Sequence, residues 1–159
     1  MSGDSVLEKV VPMTPRVRAA TELRARLLAM TQASHDAALL PAEPGGLLPG
    51  TRAGIAARIA RLCGDAALAA HYDGLAAQAG GVPDWAEPGT AAGEAKLDAA
   101  IAYADRVTRT PAQMEAPDIA ALRTAGWQEG DIVRLAGLAA FVNYQLRVAA
   151  VLRAMGAAA

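Results

Sequence analysis

The chain has 159 residues and only one cysteine, Cys63, and this scarcity excludes several kinds of site. One sulfur cannot form an intramolecular disulfide, a CxxC redox pair or a cysteine-rich zinc site. A lone cysteine is typical of proteins in a reducing compartment, so we expect a cytoplasmic location. No metal site and no cofactor is predicted.

Aromatic residues and net charge are also scarce. Aromatic side chains make up 4% of the chain, whereas hydrophobic residues, with alanine prominent among them, make up 53%. Strands favour β-branched and aromatic residues over alanine, so an all-α fold is predicted. The formal net charge of -1 provides no field that would attract nucleic acid or anionic lipid. Because the longest apolar run, 135–142, is well short of the roughly 20 residues of a membrane span, neither nucleic acid nor a membrane is an expected partner.

Start and stop signals predict about six helices in one compact domain. Thr14 followed by Pro15 is typical of a helix start, and the proline- and glycine-rich segment 41–46 ends the first helix. We therefore expect an N-terminal helical extension over residues 1–46 and a core over residues 47–159. The last helix is apolar nearly all round, which indicates burial on several sides, one of them against another subunit. The predicted helices span 16–38, 51–62, 66–79, 94–109, 118–125 and 129–155.

Three residues near the middle of the chain are candidate catalytic residues. His71 has a side chain that titrates near neutral pH, and Tyr72 stands beside it on the third helix. Cys63 ends the preceding helix, where a helix N-terminus at Asp65 or a protonated His71 would lower the pKa of a thiol. The alternatives are an ordinary hydrogen-bonded histidine and a buried, inert cysteine. Of the two histidines, His35 is the one interpreted as structural.

Asn143 and Arg147 interrupt the apolar surface of the last helix. They are four residues apart and therefore share one face. Polar side chains on a buried helix need hydrogen-bond partners, because an unpaired group costs about 1–3 kcal/mol. The two residues are predicted to form either a buried network that fixes helix packing or a pocket wall in which Arg147 binds a substrate carboxylate.

Several segments of the chain resemble the alkylhydroperoxidase D-like, or carboxymuconolactone decarboxylase, superfamily, and its peroxidase-related members in particular. The resemblance is carried by residues 47–55, 63–71, 118–126 and 141–147, and it covers about residues 47–156. It implies a helical fold and symmetric homo-oligomers, either dimers or hexamers. The N-terminal extension resembles that of a branch that lacks the redox cysteines and often accompanies a companion peroxidase-like protein of the same superfamily.

The peroxidases of this superfamily carry a glutamate, a CxxC motif and a histidine that together activate the thiol. When the sequence is aligned on His71, Arg52 occupies the position of the glutamate, and Gly64 and Ala67 occupy those of the cysteines. When it is aligned on Cys63 instead, the glutamate, the second cysteine and the histidine are all missing. Neither alignment retains the dithiol.

Three functions are compatible with these features. The first is a homo-oligomeric, divergent or companion subunit in which dithiol peroxidase chemistry is lost. The second is an acid–base enzyme, like the decarboxylases of the superfamily, in which His71 acts on a small anionic substrate with the help of Tyr72. The third is a one-cysteine peroxidase that uses Cys63. The candidate substrate-binding residues are Arg52, Asn143 and Arg147.

Overall fold

The structure, a computed structural model, describes residues 5–157, and the regular secondary structure of these residues is helical. Over that range it contains eight α-helices, two short 3-10 helices and no strand, which confirms the prediction of an all-α fold. Residues 1–4 and 158–159, at the outer ends of the predicted extension and core, lie outside the described residues. The α-helices are α1 (Val6–Val10), α2 (Pro15–Glu22), α3 (Ala25–Leu39), α4 (Pro49–Leu62), α5 (Ala66–Gln78), α6 (Ala95–Arg109), α7 (Ala116–Thr124) and α8 (Glu129–Ala157), and the 3-10 helices are Asp84–Ala86 and Pro111–Gln113.

The N-terminal segment differs from the single helix predicted over 16–38. α2 and α3 are separate helices, because Arg24 leaves the helical conformation with φ -122° and ψ 27°. α1 is a further helix, and a capping box starts it: the hydroxyl of Ser5 accepts from the N–H of Glu8, and the Glu8 carboxylate accepts from the N–H of Ser5. Five residues are too few to show an apolar period, so the prediction of about six helices was too low.

α8 is the central helix of the fold. It packs against α2, α3, α4, α6 and α7, and it buries Leu135, Leu138, Val142 and Ala149 completely. By length and composition alone, α8 is also long and apolar enough to cross a membrane. Its contacts with five other helices are those of a core helix, and they confirm the predicted burial on several sides.

The N-terminal extension shares one hydrophobic core with the rest of the described chain. Val6 and Leu7 of α1, Val17 of α2 and Leu39 of α3 are buried together with apolar residues of α4, α5 and α8. Full burial of each such side chain contributes about 1.5–3 kcal/mol relative to exposure. This packing brings α1 against α5, and α3 against α4 and α8, so polar residues of the extension reach the core helices.

A buried arginine on α4 holds the connection between α5 and α6. Arg58 donates from Nε and Nη2 to the carboxylate of Asp105 on α6, at 2.7 and 2.8 Å. Its Nη1 donates to the carbonyl oxygens of Trp85, Glu87 and Thr90. The connection is therefore fixed against both α4 and α6.

Candidate functional site

The residues predicted to act together lie in two separate regions. The first, which we call the histidine cluster, consists of Gln32, His35 and Asp36 on α3 with His71 and Tyr72 on α5. The second, which we call the Cys63 cleft, is a cavity of about 310 Å³. His71 does not line this cleft. The polar residues of the Cys63 cleft are Cys63, Asp65, Thr108, Asn143, Arg147 and Arg153.

A pair of imidazoles forms the centre of the histidine cluster. His35 Nε2 lies 3.0 Å from His71 Nε2, and the ring centroids are 5.1 Å apart. His35 is 2% exposed, whereas His71 is half-buried. The Phe141 ring of α8 contacts His35 edge-on, at 6.1 Å between centroids. The pair therefore joins α3 of the extension to α5 of the core.

His71 is a neutral imidazole at physiological pH. Burial lowers its pKa to about 4, and electrostatic interactions with His35 and Lys9 add to the decrease. Desolvation disfavours the charged form, and a nearby cation disfavours it further. His71 therefore has an unprotonated nitrogen well below the pH at which an ordinary histidine takes up a proton.

Tyr72 does not have the position of a proton donor to substrate. Its side chain is fully buried, and its hydroxyl donates to Oε1 of the equally buried Gln145 on α8. Burial raises the pKa of Tyr72, and the charge of Asp65 raises it further. The prediction that Tyr72 assists catalysis is corrected on this ground: the residue links α5 to α8.

The Cys63 cleft contains an exposed thiol and an ion pair. Partial burial raises the pKa of Cys63, Arg147 opposes that rise, and Asp65 adds to it. Asp65 caps α5 by accepting from the N–H of Leu68 at 3.0 Å, and it accepts from Arg153 at 2.5 and 3.1 Å. The lowered thiol pKa that was considered at the sequence level is therefore wrong, because burial and the charge of Asp65 outweigh the effect of Arg147.

Asn143 and Arg147 form the wall of the Cys63 cleft on α8. Asn143 Nδ2 donates to Thr108 Oγ1 at 3.1 Å and to the carbonyl oxygen of Ala139 at 3.0 Å. Arg147 Nη1 donates to the carbonyl oxygen of Asn143 at 2.9 Å. Both predicted alternatives are present in part, since Asn143 links α8 to α6 and both side chains line a cavity. Substrate binding by this pair stays a prediction.

Arg52 has a structural position rather than one in a pocket. Its Nε donates to the carbonyl oxygen of Leu47 at 2.7 Å, and its two terminal nitrogens donate to those of Ala38 and Pro44 at 2.8 and 2.9 Å. The side chain is 3% exposed and lies apart from both the histidine cluster and the Cys63 cleft. The prediction that Arg52 binds substrate is corrected accordingly, because its donors hold the loop between α3 and α4.

Comparison with known proteins identifies the fold. No family model and no curated protein matches the sequence. Similar solved structures include an uncharacterized peroxidase-related protein from Silicibacter sp. TM1040, at 23% identity and a TM-score of 0.73. They also include an alkylhydroperoxidase AhpD core, an uncharacterized peroxidase-related protein from Ralstonia eutropha JMP134, at 22% identity and a TM-score of 0.56. Each match covers 87% of this chain and 74% of the other chain.

The fold is that of the alkylhydroperoxidase D core. The resemblance found in the sequence is thereby confirmed for the fold, whereas the chemistry depends on individual side chains. Gly64 and Ala67, which take the cysteine positions of the resemblance when the sequence is aligned on His71, are exposed residues without a nucleophile. Over residues 5–157 no group of three or more histidine, cysteine, aspartate or glutamate side chains is placed to hold a metal ion.

The AhpD-like fold assembles two residues that sequence reasoning left out of the site. His35 was interpreted as structural, yet it is the hydrogen-bond partner of His71. Asp36, its neighbour, accepts from His35 Nδ1 at 3.0 Å, so a carboxylate is linked to His71 through His35. The only available signal was the adjacent His–Asp pair, and a separation of 36 residues from His71 gives no spacing rule that would connect them.

Proposed function

We propose that this AhpD-like protein is a divergent, homo-oligomeric subunit that has lost dithiol peroxidase chemistry and serves as companion to a peroxidase-like protein of the same fold in the cytoplasm. The observation that supports this most directly is the state of its only thiol. The pKa of Cys63 is raised, so at neutral pH the side chain is the unreactive thiol. A sulfenic acid formed there would have no second cysteine to resolve it.

The assembly part of the proposal is supported by an exposed apolar groove between α2 and α8, with a volume of about 670 Å³. Leu23 is 83% exposed and Val151 is 59% exposed at this groove. Apolar patches of this kind are uncommon on soluble monomers, and a second copy of the chain would cover them. The apolar lining consists of Ala20, Leu23, Val148, Val151, Leu152 and Met155.

Light scattering at low micromolar concentration tests the assembly. We expect a mass that is a multiple of 16.2 kDa, and we expect Leu23→Glu and Val151→Glu to lower it. Val133→Glu is the matched control, because Val133 is an exposed apolar residue of α8 that does not line the groove. A mass of one chain for the unmodified protein contradicts the homo-oligomer, and equal effects of all three variants contradict the groove as the interface.

A peroxidase assay tests the loss of dithiol chemistry. With an organic hydroperoxide and an excess of a small dithiol as reductant, we expect no turnover above that of the Cys63→Ser variant. One sulfur cannot cycle through an intramolecular disulfide, and the raised thiol pKa slows the first attack on peroxide. Turnover that disappears in Cys63→Ser overturns this proposal in favour of a one-cysteine peroxidase.

A second function, acid–base catalysis on a small anionic substrate, is favoured by the contact between His35 and His71. A half-buried imidazole that is unprotonated at neutral pH has a ring nitrogen that can accept a proton as a general base. The assisting residues differ from those predicted, since Tyr72 is bonded to Gln145, Arg52 holds a loop and Arg147 lies in the Cys63 cleft.

A further inference from the structure

The hydrogen bonds around His35 determine the direction in which each group of the histidine cluster donates. The first fixed point is the backbone N–H of Val6, which can only donate and lies 2.9 Å from Gln32 Oε1. The Gln32 amide is thereby oriented, and its Nε2 donates to Asp36 Oδ1 at 2.8 Å. Gln32 Nε2 and His35 Nδ1 are 3.5 Å apart because both donate to the same oxygen, Asp36 Oδ1, and not because they bond to each other.

The Asp36 carboxylate fixes the tautomer of His35. An ionised carboxylate only accepts, so His35 Nδ1, at 3.0 Å from Asp36 Oδ1, carries the hydrogen. In a neutral ring the other nitrogen, Nε2, is then the acceptor. The neighbouring nitrogen at 3.0 Å is His71 Nε2, which must therefore donate. It follows that the lone pair of His71 is on Nδ1.

The Nδ1 atom of His71 is not fully buried. Within residues 5–157 no buried side-chain nitrogen or oxygen lacks a hydrogen-bond partner, and none of the bonds found there involves His71 Nδ1. The atom is therefore not sealed inside the protein, in agreement with the half-buried state of the ring. The charged and titratable groups that act on this pair are Lys9 of α1, Asp36 of α3 and Tyr72 of α5.

We propose that Asp36, His35 and His71 form a proton relay in which His71 Nδ1 is the base and the two residues of the extension are positioning residues. The relay rests on the second function above, acid–base catalysis. A proton donor in solvent or in a substrate gives its proton to His71 Nδ1, the Nε2 proton of His71 moves to His35 Nε2, and the positive charge is located on His35. Asp36 offsets that charge across the Nδ1–H bond. Lys9, whose charge acts on His71, favours an anionic substrate beside it.

Nitrogen NMR of the full chain, labelled with ¹⁵N-histidine, tests the relay at pH 7. The chain has only two histidines, so His35→Gln and His71→Gln assign every signal. We expect a pyridine-like Nδ1 and a pyrrole-like Nε2 for His71, and the reverse pattern for His35. Asp36→Ala should mix the tautomers of both rings; this side chain is 56% exposed, so the variant is expected to fold. Asp73→Asn is the control, because Asp73 is on α5 with His71 but its carboxylate accepts from Arg61.

Diethyl pyrocarbonate, which acylates unprotonated imidazole nitrogens, provides a second measurement. An ordinary histidine loses roughly nine-tenths of its reactive form by pH 5.5, whereas His71 should retain its labelling rate there and His35 should remain unlabelled. Reversed tautomers, or a loss of His71 labelling with a midpoint near pH 6.5, overturn the relay. If NMR shows these tautomers but the protein catalyses no proton exchange at the carbon atoms of small carboxylic acids, the relay is supported. Only the acid–base function is then contradicted.

Discussion

The histidine cluster lies at the middle of α5 and the Cys63 cleft at its N-terminal end, and the two regions differ in what their polar groups bind. In the histidine cluster, four hydrogen bonds run from Val6 to His71 and leave a single nitrogen with a free lone pair. In the Cys63 cleft the strongest acceptor, Asp65, is bonded to Arg153, and the thiol is left exposed with a raised pKa. The two regions therefore leave an unprotonated imidazole in one and an unreactive thiol in the other.

The largest difference between the two regions is expected in stability. Tyr72→Ala removes a fully buried ring beneath the histidine pair, so we expect a loss of about 3–5 kcal/mol in the free energy of unfolding. Tyr72→Phe isolates the hydrogen bond to Gln145 and should cost about 1–3 kcal/mol. Urea denaturation measures both. A loss for Tyr72→Ala no larger than that for Tyr72→Phe would mean that the ring is not part of the core.

Acid should destabilise the histidine cluster first. Because the pKa of His71 is lowered from 6.5 to about 4, the unfolded state binds a proton between these values that the folded state does not. Stability is therefore complete above pH 6.5 and decreases as the pH falls towards 4, by on the order of 2 kcal/mol. Urea titrations at pH 7 and 4.5 measure this loss, and His71→Gln should abolish most of it. An unchanged loss in that variant assigns the effect to another group.

The Cys63 cleft should respond to acid in a lower window. Burial alone would raise the pKa of Asp65, but the bonds from Arg153 and from the N–H of Leu68 lower it below 3.8. The stability that the ionised Asp65 contributes is fully present above pH 3.8 and is lost as the pH falls through the lowered pKa. Asp65→Ala should cost about 1–2 kcal/mol at pH 7, through the helix cap and the ion pair. Thermal unfolding of Asp65→Ala and the unmodified protein at pH 7 and pH 3 measures this loss of stability. An equal loss at both pH values would contradict the lowered pKa of Asp65.

The smallest effect is expected at the thiol. Cys63→Ser changes an exposed side chain, so the free energy of unfolding should move by less than about 0.5 kcal/mol. Alkylation of Cys63 by iodoacetamide should accelerate with pH up to and beyond 9, because its thiol pKa is raised above the ordinary 9.0. If the alkylation rate were half-maximal near pH 7, Cys63 would be a reactive thiolate at neutral pH, and the Cys63 cleft would be the reactive region.

Local signals account for most of the helices that the sequence predicted correctly. Thr14 and Pro15 start α2 and Asp65 caps α5, as their residue types indicate. The break at Arg24 has no glycine or proline to mark it, so no local signal predicted that α2 and α3 are separate helices. The predicted substrate-binding role of Arg52 failed for a similar reason, since nothing in the sequence shows which carbonyl groups the loop before α4 brings to its guanidinium.

The sequence by itself determined the helical fold class and the absence of a dithiol, because alanine-rich periodicity, capping residues and cysteine count are local or compositional properties. Only the tertiary structure decided which side chains share an environment. In the sequence Cys63 is the expected neighbour of His71 and His35 is interpreted as structural, whereas packing of the extension against α4 and α8 brings His35 to His71. The pKa values follow from the same packing, since burial and neighbouring charges, rather than residue type, lower that of His71 and raise that of Cys63.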